Sequence, residues 1–349
     1  MTIILNTFYP RSRPWLSIVL LFSVLLLVAC QALPTAPSVM PGANEPLRLV
    51  QTIPLPAVAG RIDHLAVDRA GHRLFIAALG NNTVEVIDLI TGKRIHTITG
   101  LEEPQGILFL SDVNQVYVAS GGSGTCSVFD GTSFTLIKQF TCGADADNLR
   151  FDAATLTIYV GAGNGLLGSF KARQQKRLPD IPLPGHPEAF QLEQTGPLGF
   201  VNIPEAHQIA VVDRQTHTVR TQWPLTNTAN FPMALDESQH RLFVGFRQPA
   251  RFMVFATATG QVVADLASVG DADDIFYDPR TKRMYVIGGE GFIAIFTQVD
   301  ADQYQLTNKV PTAGGAQTGL FVPEWQQLLV AVPQRDKQDA EVRVYSVQP

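Results

Sequence analysis

The sequence predicts an all-β fold, a seven-bladed β-propeller of four-stranded blades, on three observations. Short apolar runs recur at a period near 42 residues: HRLFIAAL, NQVYVAS, LTIYVGA, PLGFVNI, HRLFVGF, KRMYVIG and QQLLVAV, marked by Phe75, Tyr117, Tyr159, Phe200, Phe243, Tyr285 and Leu329. A second run follows each one, VEVIDL, CSVFDG, LGSFKA, IAVVDR, FMVFAT, IAIFTQ and VRVYSV, so two series of seven interleave. Each repeat holds four runs of strand length, separated by turn chemistry such as DRAGH, DAATL and DPRTK, with no useful helical period. Four strands in about 42 residues make a propeller blade, and seven copies close a ring.

Composition fits that reading. The 349 residues are 46% hydrophobic and 16% charged, with 28 Gly and 23 Pro, as in a globular protein rich in turns. A net charge of −5 offers no basic footprint, which excludes nucleic acid as the expected partner.

Residues 1–29 read as a lipoprotein signal peptide. Arg11 and Arg13 precede the 14-residue apolar run LSIVLLFSVLLLVA, which is short for a membrane span but right for a signal core. LVAC at 27–30 resembles a bacterial lipobox, which implies cleavage before Cys30 and lipid on its thiol and amine. An ordinary cleaved signal or an uncleaved anchor is the alternative, and either places the remainder outside the cytoplasm. Residues 30–46 are then the lipidated Cys30 and a Pro-rich tether, able to reach about 3 Å per residue where extended. Gln31, rather than Asp, follows the Cys, which favours the outer membrane facing the periplasm if the cell is Gram-negative.

The propeller fills 47–349. Its seventh repeat supplies only three strands, around TGLFV, QQLLVAV and EVRVYSV, while LRLVQTIPLP near 48–56 has no blade of its own. That N-terminal run resembles RLPDIPLPG at 177–185, the fourth strand of the third repeat. As the outer strand of the last blade it would close the ring and cover an open edge.

The first strand of each blade lines the central channel. These strands read IDHLAVD, PQGILFL, ADNLRFD, PEAFQLE, FPMALD, ADDIFYD and AQTGLFV. Aligned on their apolar cores, they place Asp63, Gln105, Asp147, Glu188, Asp273 and Gln317 at one level, with Phe231 the exception. His64, Asn148 and Asp274 follow by one step; Asp145, His186, Asn230 and Asp271 lie just before. Such a ring at the channel mouth suits a hard cation such as calcium, a polar or cationic small molecule, or ordered water.

Cys126 opens the third strand of blade two and Cys142 ends its fourth, so the two sit at one face. In an oxidising compartment they can form a disulfide worth about 3 kcal/mol, or remain two buried thiols. The chain lacks GxSxG, HExxH and CxxC, and no GxGxxG is placed between a strand and a helix to cradle a phosphate. His72, His96, His217 and His240 read as solvated turn and outer-strand residues. The glycines at 120–124, 161–165 and 287–291 read as tight loops that need positive φ.

With the blades laid out, VEVIDLITGKRIHTI, EEPQGILF and NQVYVAS closely resemble the YVTN-type repeat of bacterial extracytoplasmic propellers related to the YncE-like proteins. The resemblance runs from about residue 48 to the end and implies the fold. It says little about activity, because the motif consists of strand and turn residues, and blades four and seven depart from it with GFVN and LLVAV.

The leading expectation is a non-catalytic binding or scaffolding module, held at the membrane by the lipid on Cys30. Its polar face would contact an envelope protein, a polymer or a small molecule. The alternative resembles calcium-type lactonases: a metal-dependent hydrolase with Asn148, Glu188 and Asp273 as ligands. A quinone-cofactor dehydrogenase fits less well, since Trp223 and Trp325 are too few for tryptophan docking in every blade.

Overall fold

The computed structural model describes residues 45–349 apart from Asn164. The expected signal peptide, Cys30 and residues 31–44 of the tether lie outside the described residues. The rest forms seven antiparallel sheets arranged as the blades of a propeller. Their innermost strands are Leu65–Asp68, Pro104–Leu110, Leu149–Asp152, Phe190–Leu192, Thr228–Asp236, Ala272–Asp278 and Gly319–Val322. Each touches the innermost strand of the next blade, and the last touches the first.

Leu47–Leu55 pairs antiparallel with Ala340–Val347 and is the outer strand of blade seven, so the two ends of the fold are joined by a ladder. Blade three departs from a regular four-strand pattern. Its outer strand is split into Lys176–Arg177 and Ile181–Pro182. Pro179 sits in the gap, where it has no N–H to give the ladder.

The two sequence series turn out to be the two faces of each blade. Phe75, Tyr117, Tyr159, Phe200, Phe243, Tyr285 and Leu329 are buried, and each packs in the apolar cluster shared with the following blade. Ile87, Phe129, Phe170, Val212, Phe255, Phe296 and Tyr345 pack instead in the cluster shared with the preceding one. Neighbouring strands must bury opposite faces between blades, and this repeats at the blade period.

One backbone device sets up the channel. In blades one, three and four, two consecutive residues of the inner strand face one residue of the second strand. Asp63 N–H donates to Ala77 O, while Ala77 N–H donates to His64 O; Asp147 and Asn148 share Gly161, and Glu188 and Ala189 share Asn202, in the same way. Blades two, five and six shift register at the same level. Such a bulge reverses the side-chain alternation. Above it, the ring residues and those two before them face one end of the channel; below it, His64, Asp274, Leu108, Arg150, Gln191 and Phe276 line the other.

Candidate functional site at the channel mouth

The ladders align Asp63, Gln105, Asp147, Glu188, Phe231, Asp273 and Gln317 at one level. Five of these seven, all but Gln317 and the buried Asp63, line a mouth recess of about 330 Å³, whose wall also carries Arg61, Glu103, Asp145, His186 and Arg247. Gln317 reaches the ring through its amide, which donates to Asp273 Oδ2 at 3.0 Å. Asn230 is turned away, and its side-chain amide donates to Asn202 Oδ1 and Gln208 O between blades four and five.

Two arginines complete the mouth. Arg61 donates to Asp63 Oδ2 at 2.8 Å. Arg247 donates to Asp273 Oδ1 at 2.7 Å, approaches Asp271 at 3.4 Å and lies 3.8 Å above the Phe231 ring. Phe231, the outlier of the ring, is therefore the platform on which a guanidinium stacks. Neither arginine was singled out from the sequence, though a signal existed: the position of Arg247 at the end of the second strand is Gly121, Gly163 and Gly289 in blades two, three and six.

Those glycines have a second role. A Cβ on Gly121 would collide with the Gln105 amide, and one on Gly289 with the Asp271 carboxylate. They leave room for the mouth's own side chains, whereas Gly124, Gly165 and Gly291 are the ones with positive φ. Glu103, Asp145 and Asp271 hold the left-handed conformation, with φ of 50°, 48° and 52°. This conformation costs about 1–2 kcal/mol per non-glycine residue, and it places three acidic side chains at the rim.

Beneath the rim the charges are tightly interlocked. His64 Nε2 lies 3.7 Å from Asp63 Oδ1 and 3.6 Å from Asp147 Oδ1. Burial favours neutral imidazole, but the two carboxylates outweigh it and raise the His64 pKa to about 10. Asp147 is held below the usual carboxylate range, against its burial, by His64. Glu188 has His186 Nε2 at 3.8 Å, but burial, with the charges of Asp147 and Asp273, pushes it up to about 8. Burial raises Asp274 to about 7, although its Oδ2 accepts from Gly319 N–H at 2.8 Å.

Of the residues expected to hold a metal, Glu188 faces the recess, Asp273 is engaged by Arg247 and Gln317, and Asn148 is buried with its amide 3.4 Å from Asp147 Oδ2. The side chains whose donor atoms converge within 4.8 Å are instead Asp147, His186 and Glu188. Cys126 and Cys142 are joined as a disulfide with Cα atoms 5.7 Å apart, in blade two.

No family model matches the chain. Over 97 residues, 28% of its length, it is 30% identical to an uncharacterized protein YncE of Salmonella typhimurium and 29% identical to that of Salmonella typhi, spanning 27% of those relatives. Among solved structures it is similar to a chain of Kuenenia stuttgartiensis hydrazine synthase, with a TM-score of 0.68 at 16% identity, covering 79% of this chain and 96% of that one. A chain in a mitotic checkpoint complex gives 0.75 at 13% identity, covering 93% and 100%. At these identities the likeness is one of fold alone. The chain is a seven-bladed β-propeller with YncE-like relatives.

Proposed function

We propose that this propeller is an extracytoplasmic binding module whose channel mouth takes a small cationic ligand. One observation carries the reading: Asp147 Oδ1 is buried without a hydrogen-bond partner in a recess lined by Glu103, Asp145, Asp147, Glu188 and Asp273 against only Arg61, Arg247 and His186. A buried carboxylate oxygen without a hydrogen bond costs about 1–3 kcal/mol, which the His64 charge 3.6 Å away offsets only in part and a bound cation would recover. The recess admits a small molecule or an ion rather than a folded partner. The apolar run before LVAC supports a lipid tether on Cys30, which would hold the mouth near a membrane surface.

The test is calorimetric titration of the purified protein with protonated mono- and polyamines, beside the double variant Asp147→Asn with Glu188→Gln. Binding that weakens at least tenfold in a folded variant supports the mouth. Equal affinities in parent and variant remove the site from this face. Lactone or ester hydrolysis, the alternative drawn from the sequence, needs an ion at the same mouth, and a substrate screen on metal-loaded protein tests it.

A further inference from the structure

We infer that the cation taken at the mouth is a divalent first-row metal ion of borderline hardness, such as zinc, held by Asp147, His186 and Glu188. This rests on the mouth being the binding face and goes further by naming the ligand class. His186 and Glu188 are alternate residues of the segment entering blade four, and Asp147 stands at the same level of blade three. Donor atoms about 2.0–2.2 Å from a shared zinc sit roughly 3–4 Å apart. His186 Nε2 and Glu188 Oε1 are 3.8 Å apart, and the three donors lie within 4.8 Å of one another. Among the described residues no other three such side chains bring their donors this close.

Two further observations point to a ligand. Asp147 is 6% exposed, and its Oδ1 has no hydrogen bond; His64 Nε2, at 3.6 Å, is beyond reach. The second concerns the far side of the imidazole. His186 Nδ1 is likewise buried without a hydrogen bond, and Asp145 Oδ2 stands 3.7 Å from it. A carboxylate behind a histidine, on the side away from the ion, is how metal-ligating imidazoles are oriented. Asp145 is fixed for that role: Gln105 donates to its Oδ1 at 3.1 Å, and its left-handed backbone is accommodated by Gly163, whose missing Cβ would lie 2.7 Å from Asp145 Cβ.

The donor set chooses the metal. Calcium takes six to eight oxygens, whereas one imidazole with two carboxylates suits zinc and its neighbours and leaves a coordination position open to the recess. Asp273 cannot serve as an alternative ligand without giving up Arg247 and Gln317.

The test uses chelator-stripped full-length protein titrated calorimetrically with zinc chloride and, separately, calcium chloride. One zinc per chain is expected, bound at least tenfold more tightly than calcium. His186→Ala and Glu188→Gln should each weaken zinc at least tenfold, Asp145→Asn should weaken it about tenfold through the imidazole, and His72→Ala should leave it unchanged. Should His186→Ala fail to fold, Asp145→Asn decides alone. Absent or non-stoichiometric zinc binding, a preference for calcium, or affinity unchanged in folded Asp145→Asn and Glu188→Gln would overturn the metal. Protein that binds amines at the mouth but no zinc overturns this inference while leaving the proposed function standing.

Discussion

The two ends of the channel are built from the same seven strands yet have opposite chemistry. At the mouth, Asp63, Asp147 and Asp273 are matched by His64, Arg61 and Arg247, and Glu188 has only His186, 3.8 Å away. Below the bulges a cavity of about 560 Å³ is lined by Leu108, Phe276, Leu320 and their neighbours, together with His64, Asp274 and two guanidiniums, Arg69 and Arg150. Arg150 donates to Leu149 O and lies 5.6 Å from the Phe190 ring, and burial lowers its pKa. At the mouth the carboxylates outnumber the arginines, whereas in the lower channel Arg150 makes no salt bridge and is attracted by Asp274 and Asp147 only at longer range. A bulge in the inner strands of blades one to six separates them, so a backbone feature rather than composition decides which side chains meet.

The widest gap between the halves should appear when His64 is removed. His64→Ala leaves Asp63 and Asp147 facing each other while buried, and the loss at pH 7 should be about 3–5 kcal/mol by urea denaturation. A loss under 1 kcal/mol would mean that the imidazole does not hold those carboxylates.

The pH dependence of stability comes next. Glu188 moves from 4.5 to about 8 on folding, so the native state binds its proton more tightly and stability falls as pH rises through that window. His64 moves from 6.5 to about 10 and acts in the same direction; its contribution is complete below 6.5 and is lost towards 10. Melting temperature should therefore drop between pH 6 and 9, and Glu188→Gln should flatten the curve by about 2–4 kcal/mol. A parent protein more stable at pH 9 than at pH 6 would contradict these charges.

Smaller effects sharpen the contrast between two arginines. Arg247→Ala strips Asp273 of its ion pair and Phe231 of its stacked cation, and should cost about 1–3 kcal/mol in chemical denaturation. Arg150→Leu removes a buried cation that makes no salt bridge and is attracted by Asp274 and Asp147 only at longer range, and should fall within about 0.5–1 kcal/mol of the parent. If Arg150→Leu were the costlier change, the account of the lower channel would be wrong.

The blades were legible because burial between them forces an aromatic or branched residue at a fixed place on each face, as at Phe75 and Ile87. The level of the ring was legible for the same reason, since counting back from an apolar core needs only strand geometry. Which ring members meet was not. Asn148 follows Asp147 by one residue, and only the bulge decides what each faces. Asp273 looked free because Arg247, 26 residues earlier, is brought to it by the neighbouring blade. The glycines at 121 and 289 read as turn formers because their partners, Gln105 and Asp271, are distant in sequence. The outer strand of the third blade, read as one run over 177–185, is split in the structure at Pro179.

The most direct measurement is anomalous diffraction from crystals of the protein grown with zinc, recorded either side of the zinc edge. The account expects one strong peak bounded by Asp147, His186 and Glu188, with none in the lower channel. Diffraction showing no peak at the mouth, or peaks only at surface histidines such as His72, would contradict it.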